Sequence, residues 1–189
     1  MKTRSAKPSG EGTLSSAKSV RVVFLVGFMG AGKTSVGKAL AEILGWKFED
    51  LDDRIVAQER RSIAQIFSQS GEAGFRLTER KALESVLKDL TSTALVVALG
   101  GGAFVSPENV GLLGKPGLVT IFLDAPVEEL FRRCEDQKFE RPLRGSYDDF
   151  RNLHTQRESA YRRASLTVET SGKQVHEIAN EIARTLELG

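Results

Sequence analysis

Residues 27–34, GFMGAGKT, are the segment whose composition points most directly to chemistry. They match the G-x-x-x-x-G-K-[ST] pattern of a phosphate-binding loop, with an apolar run before them and a helical pattern after them. Glycines let successive backbone N–H groups converge on phosphate oxygens, and the helix N-terminus adds unsatisfied donors. Lys33 would place a positive charge on the terminal phosphates, and Thr34 can offer its hydroxyl to Mg²⁺. The pattern predicts ATP or GTP binding by Gly30, Ala31, Gly32, Lys33, Thr34 and Ser35, the alternative being a chance glycine turn before a surface lysine.

Two carboxylates, Asp50 and Asp52, follow the second predicted strand. Ligands of an open parallel sheet bind outside the carboxyl ends of its strands, so both are expected beside the phosphate loop. A spacing of two along an extended segment would put them on one side, one for Mg²⁺ and one for the acceptor hydroxyl. The alternative is a cluster that caps the next helix and favours its dipole, which is the preferred interpretation of Asp53.

Glycines and arginines provide the remaining candidates for binding. Gly100–Gly102 would allow a ligand to approach the backbone closely, although an ordinary strand-to-helix turn is an equal alternative. Arg76, Arg141 and Arg157 lie beside predicted loops or helix starts. Because arginine binds carboxylates and phosphates bidentately, these residues would suit a small anionic acceptor. For any single arginine, a solvated surface position is the alternative.

Short apolar runs rich in β-branched residues alternate with helical patterns along the chain. The predicted strands are 20–26, 46–48, 94–99, 117–123 and 166–168. The predicted helices are 33–44, 52–90 with an interruption near 70–74, one from 106, 126–134, 148–164 and 175–186. This alternation predicts an α/β fold with a parallel sheet in a single domain, residues 20–189. Residues 138–147 are polar and basic and predict a mobile loop, and residues 1–19 are expected to be a disordered basic leader.

Composition excludes several classes of protein. The 189 residues are 40% hydrophobic and 28% charged, as in ordinary globular domains, and the single cysteine excludes an internal disulfide. No apolar run approaches the ~20 residues that span a bilayer. The first 21 residues carry five basic side chains against one acidic, so the rest of the chain carries −2 of the net +2. We therefore expect a cytoplasmic protein without a nucleic-acid or membrane partner.

Six motifs occur in one order: GFMGAGKT, FEDLD at 48–52, GEAGFR at 71–76 with Glu79, LGGGA at 99–103, RPL at 141–143, and Arg157 with Tyr161 and Ala164. Together they resemble the shikimate kinase family from about Val20 to the C-terminus. The resemblance implies the fold of the nucleoside-monophosphate kinases, a P-loop kinase fold with a five-stranded parallel sheet of order 2-3-1-4-5, flanking helices and a mobile lid. It also implies ATP-dependent phosphorylation of a ring hydroxyl of shikimate to shikimate 3-phosphate, on the route to chorismate and the aromatic amino acids, by a monomer.

The same resemblance implies roles for individual residues. Thr34 and Asp50 would serve Mg²⁺, and Asp52 would hold the acceptor hydroxyl and act as its base. Arg76 and Arg157 would grip the shikimate carboxylate. The backbone at Gly101 and Gly102 would contact the substrate ring.

Three further residues would contact ATP by this resemblance. Arg133 resembles an arginine that stacks on adenine, and Lys173 would lie near the same base. Arg141 would move with the lid onto the phosphates and, with Lys33, offset charge during transfer. Arg144 departs from the family pattern, which more often has an apolar residue there.

Two other functions remain as alternatives. A gluconate-type sugar-acid kinase or a nucleotide kinase would keep the fold and change the acceptor, but GEAGFR and the Arg157 motif argue against it. A catalytically silent P-loop binding module whose basic tail contacts a partner would be expected to have lost site residues, and none of the expected ones is missing.

Overall fold

The structure is a computed structural model, and it describes residues 20–90, 94–136 and 146–187. Strands and helices alternate along these ranges. The elements in chain order are β1 (Val22–Val26), α1 (Lys33–Leu44), β2 (Lys47–Asp50), α2 (Leu51–Glu59), α3 (Ile63–Asp89), β3 (Leu95–Ala98), α4 (Pro107–Leu113), β4 (Leu118–Asp124), α5 (Val127–Asp136), α6 (Tyr147–Tyr161), β5 (Leu166–Glu169) and α7 (Val175–Thr185).

The five strands form one parallel sheet in the order β2-β3-β1-β4-β5. All five residues of the central strand β1 are buried, as its continuous apolar sequence requires when helices cover both faces of a sheet. Parallel neighbours need crossover connections, and helices supply them. The predicted fold class and strand order are therefore confirmed.

The sequence interpretation was wrong in two places. The predicted helix 52–90 is divided into α2 and α3, because Arg60 takes the left-handed conformation that ends α2 and Ser62 caps α3. The other error is the second predicted strand. It was expected over 46–48, whereas β2 runs to Asp50 and α2 begins at Leu51. The Asp50 carboxylate caps α2 by accepting a hydrogen bond from the Asp52 N–H at 3.0 Å. Asp52 therefore lies in the first helical turn and not on an extended segment beside Asp50. The exposed Asp53 lies in that same turn, where a negative charge favours the helix dipole.

Helix α3 bends at Gly71, as the predicted interruption near 70–74 indicated. Gly71 has φ 66° and ψ −175°, a conformation open to glycine and costly for other residues. Beyond the bend, Phe75 and Glu79 turn into the protein interior. The segment after Gly71 thus carries the GEAGFR motif against the end of the sheet.

Several expectations fall on residues that the structure does not describe. These are the leader at 1–19 and nearly all of the predicted mobile loop, including Arg141. Within the described ranges, no helix combines the length and apolar character needed to cross a membrane.

Candidate active site

The phosphate loop connects β1 to α1 and depends on glycine for its shape. Gly30 and Gly32 have φ of 81° and 85°, and Gly32 is the N-cap of α1. A Cβ atom at Gly30 would lie 2.5 Å from the carbonyl oxygen of Leu130 on α5. The loop is therefore pressed against α5 at a point where only glycine fits.

Lys33 lies across the mouth of this loop. Its ammonium donates to the carbonyl oxygens of Gly27 and Phe28, both at 2.9 Å. Thr34 and Ser35 are exposed in the first turn of α1, while Ala31 is buried beneath the loop. A cation, unsatisfied helix N–H groups and hydroxyls thus meet at one position, which suits a polyphosphate.

Asp50 connects the phosphate loop to the next helix. Its Oδ2 accepts from the Thr34 hydroxyl at 2.8 Å, and its Oδ1 caps α2. The expected proximity of Asp50 to the loop is therefore present. A hydroxyl and a carboxylate at this separation are hard oxygen ligands of the kind that Mg²⁺ prefers.

The glycine turn after β3 is the point at which the other candidates meet. A Cβ atom at Gly100 would lie 3.0 Å from Oδ1 of Asp52 and 3.1 Å from Oε1 of Glu79. One at Gly101 would lie 3.8 Å from Nη1 of Arg157 and 3.7 Å from the Gly27 carbonyl oxygen. Both carboxylates, this arginine and the phosphate loop therefore surround the turn.

Arg76 lies against Gly102 and pairs with two glutamates. A Cβ atom at Gly102 would overlap the Arg76 guanidinium. Nη1 donates to Oε2 of Glu79 at 2.9 Å, and Nη2 donates to Oε1 of Glu72 at 3.2 Å. The ion pair with Glu79 thus holds the guanidinium at the turn.

Glu79 itself is 1% exposed. Burial raises the pKa of its carboxyl, the nearby Arg76 guanidinium opposes this, and the Asp52 carboxylate adds to it. Its second oxygen, Oε1, has no hydrogen-bond partner among the described residues. A buried acceptor is therefore directed into the space beside Gly100.

Arg157 reaches the turn from α6. Its guanidinium carbon lies 6.0 Å from the centroid of the Phe28 ring, a cation–π distance. Four residues later, the buried Tyr161 hydroxyl donates to the Gly101 carbonyl oxygen. Arg76 and Arg157, from different helices, thus converge on adjacent glycines.

The remaining predicted ATP contacts lie around the turn between β5 and α7. Arg133 donates to Oγ1 and the carbonyl oxygen of Thr170, at 3.3 and 3.0 Å, and to Glu129 at 2.6 Å. Lys173 donates to Glu181 at 2.6 Å. Helix α5 carries both Arg133 and Leu130, the residue that lies against Gly30. The turn between β5 and α7 and the phosphate loop therefore both lie beside α5. Arg141 lies outside the described ranges.

Sequence reasoning gave no role to Glu79 or Tyr161, although both stand in recognised motifs. The available signal was helical spacing. Glu79 follows Arg76 by three residues and Tyr161 follows Arg157 by four, which puts each pair on one helix face.

Comparisons with known proteins agree with this geometry. The sequence model described as shikimate kinase matches residues 29–187. A shikimate kinase of Geobacter metallireducens is 43% identical over 178 residues, which cover 93% of this chain and 97% of that protein. The chain belongs to the shikimate kinase family. A shikimate kinase of Persephonella marina is 40% identical over 164 residues, covering 86% of this chain and 97% of that one.

A solved structure extends the likeness to three dimensions. Shikimate kinase from Acinetobacter baumannii in complex with shikimate matches with a TM-score of 0.81 and 34% identity, covering 89% of this chain and 93% of that one. Membership of the shikimate kinase family makes the chain an ATP-dependent kinase that acts on shikimate in aromatic amino-acid biosynthesis. The expected resemblance is confirmed, and the comparisons favour shikimate over the alternative sugar-acid and nucleotide acceptors.

Proposed function

We propose that the glycine turn at 100–102 is the acceptor site and that three side chains divide the work of shikimate phosphorylation there. The observation that carries this proposal is the convergence of Asp52, Arg76 and Arg157 on the turn, next to the phosphate loop. The three side chains come from three different helices, so only the folded chain brings them together. A small carboxylic acid with a hydroxyl group matches their charges.

Arg76 and Arg157 hold the shikimate carboxylate. Each guanidinium offers paired donors in the geometry that a carboxylate accepts. Glu79 restrains Arg76 through a hydrogen bond of 2.9 Å, and the Phe28 ring lies beside Arg157. Restraint of this kind lowers the entropy lost when the acceptor binds.

Asp52 accepts the hydrogen bond of the reacting hydroxyl and takes its proton as the phosphoryl group transfers. Phosphoryl transfer needs orientation and charge neutralisation more than covalent assistance, so alignment of this hydroxyl is the main task. Gly100 lets the Asp52 carboxylate pack against the turn, because a Cβ atom there would lie 3.0 Å from Oδ1. The backbone of Gly101 and Gly102 contacts the ring.

Lys33 and the loop amides of Gly30, Ala31, Gly32, Thr34 and Ser35 hold the ATP phosphates. Thr34 and Asp50 fit a magnesium ion, because their oxygens are hard donors held 2.8 Å apart. The described residues contain no group of three or more His, Cys, Asp or Glu side chains suited to a metal, so the phosphates would complete the coordination. When bound, Mg²⁺ neutralises phosphate charge.

The remaining assignments complete this proposal. Arg133 and Lys173 border the adenine, and Arg141, which lies outside the described residues, contacts the phosphates. The enzyme works as a cytoplasmic monomer whose catalytic domain is residues 20–189. Removal of residues 1–19 should then leave turnover unchanged.

An acceptor panel tests the proposal. ADP release with Mg-ATP is measured with shikimate, gluconate, nucleoside monophosphates and no acceptor. Only shikimate should stimulate ADP release, and the product should carry one phosphate on the ring. Equal ADP release without an acceptor, or preference for another acceptor, would contradict the proposal.

Replacement of Asp52 by asparagine tests the assigned base. Asparagine keeps the size of the side chain and removes the proton acceptor, so kcat should fall roughly 10²–10⁴-fold. ATP binding, measured by calorimetry, should be unchanged. The matched control is Asp53→Asn on the exposed side of the same helical turn, which should keep full activity. Retained turnover in Asp52→Asn would show that Asp52 is not the catalytic base.

A further inference from the structure

The hydroxyl of Tyr161 lies in the protein interior at the end of α6. Tyr161 is 0% exposed, and its ring stacks on Phe122 of β4 with centroids 5.3 Å apart and an interplanar angle of 27°. A phenylalanine would make the same ring contacts. The hydroxyl therefore has to be explained by its polar partners.

Its hydrogen-bond partner belongs to the acceptor site. The hydroxyl donates to the carbonyl oxygen of Gly101, and the positive charge of the nearby Arg157 guanidinium acts against the effect of burial on its pKa. Burial raises the pKa of Tyr161 to about 12, so the group keeps its proton at neutral pH. It is consequently a permanent donor to Gly101.

We propose that Tyr161 is a positioning residue for the acceptor, because its hydroxyl fixes the Gly101 peptide, beside which the Arg157 guanidinium lies. This inference rests on the proposed function of the glycine turn. Tyr161 itself does not touch the reacting atoms. Its effect reaches the substrate through the Gly101 peptide that it holds.

The geometry of the peptide bond explains why one hydrogen bond has this effect. In a planar trans peptide the C=O of one residue and the N–H of the next point in opposite directions. A hydroxyl that holds the Gly101 C=O therefore directs the Gly102 N–H away from Tyr161, and we place that donor on the acceptor side. Glycines have no side chains that could fix this orientation, so the turn needs an external anchor.

The two tyrosines of the chain provide a matched pair for the test. Tyr161→Phe keeps the stacked ring and removes the anchor. Tyr147→Phe removes a hydroxyl at the other end of the same helix, where it donates to Glu128 at 3.1 Å. We expect Tyr161→Phe to raise the KM for shikimate about tenfold, as expected for a lost buried hydrogen bond, while the KM for ATP stays unchanged.

The split between the two KM values is the readout that a purely structural role would not produce. General loosening of the fold would raise both KM values or lower only the melting temperature. Tyr147→Phe should leave both KM values unchanged. An unchanged shikimate KM in Tyr161→Phe, or an equal rise for ATP, would overturn the inference.

A second measurement uses the wild-type protein and does not depend on how the variants fold. With ¹³Cζ-labelled tyrosine, the NMR signals of the two tyrosines can be followed as shikimate is added. The Tyr161 signal should shift and the Tyr147 signal should not, and a stationary Tyr161 signal in the saturated protein would overturn the inference. Wild-type protein without shikimate-dependent ADP release would instead contradict the proposed function itself.

Discussion

The phosphate side and the acceptor side of this site are built by different means. The proposed phosphate side is one continuous segment, residues 27–34, whose backbone N–H groups and lysine would face the ligand. The acceptor side takes charged side chains from α2, α3 and α6 and arranges them around the glycine turn at 100–102. Phosphate binding therefore depends on local conformation, whereas recognition of the acceptor depends on how separate helices pack.

Glycine also has a different purpose on the two sides. In the phosphate loop, Gly30 and Gly32 have positive φ, so the backbone conformation itself favours glycine. In the acceptor turn, none of the three glycines has positive φ, and a Cβ atom at Gly100 or Gly102 would be crowded by charged side chains. Substitutions on the two sides should consequently fail in different ways.

The largest expected difference between the two sides comes from Arg157→Lys. A lysine cannot offer paired donors to a carboxylate, so the KM for shikimate should rise roughly 10–100-fold while the KM for ATP stays constant. Steady-state kinetics with each substrate varied in turn gives both values. The matched control is Arg151→Lys on the same helix, an exposed residue 3.6 Å from Asp148. A comparable rise in the KM for ATP would contradict the assignment of Arg157 to the acceptor side alone.

A pair of alanine substitutions should produce an intermediate effect. Gly30→Ala combines positive φ with a clash against the Leu130 carbonyl, which should raise the KM for ATP roughly tenfold and destabilise the fold by about 1–3 kcal/mol. Gly102→Ala meets only the end of the flexible Arg76 side chain, so it should raise the KM for shikimate with little loss of stability. Melting temperatures and both KM values distinguish the two outcomes. A strongly destabilised Gly102→Ala variant would contradict the proposed difference.

The smallest effect is expected from Glu79→Gln and concerns pH. Burial raises the pKa of Glu79 above its ordinary value of 4.5, so as pH rises past 4.5 the unfolded state releases this proton before the folded state does. The contribution of Glu79 to stability therefore falls until the folded state has lost the proton too. Relative to wild type, the melting temperature of Glu79→Gln should be higher at pH 7 than at pH 4.

Glu84→Gln, an exchange at a half-exposed position of the same helix, is the control for losing a carboxylate from α3. If the difference in melting temperature between wild type and Glu79→Gln does not change with pH, burial does not raise the pKa of Glu79.

The features that could be predicted from the sequence also differ between the phosphate side and the acceptor side. The phosphate loop could be located from residues 27–34 alone, because its function requires a fixed spacing of glycines, lysine and threonine. The alternation of strands and helices predicted the α/β class, and the six motifs predicted the strand order. Features that depend on residues close together in the sequence were therefore predictable.

The candidates of the acceptor side could be named from their residue types, but only the family resemblance predicted that they act on one substrate. Nothing in the spacing of Arg76 and Arg157 indicates that two helices bring them to neighbouring glycines. The placement of Asp52 was wrong in detail. Asp50 caps a helix that begins at Leu51, so Asp52 lies in a helical turn and not on the expected extended segment. The positions of Glu79 and Tyr161 beside the turn depend on packing, which sequence periodicity does not specify.

Asp50 gives the two sides a mechanical connection. Its two oxygens face different helices, one toward Thr34 on α1 and the other toward the first turn of α2, which carries Asp52. Rotation of this one carboxyl group would change both bonds. In the proposed function, an ion held by Thr34 and Asp50 would therefore also act on the helical turn that carries Asp52.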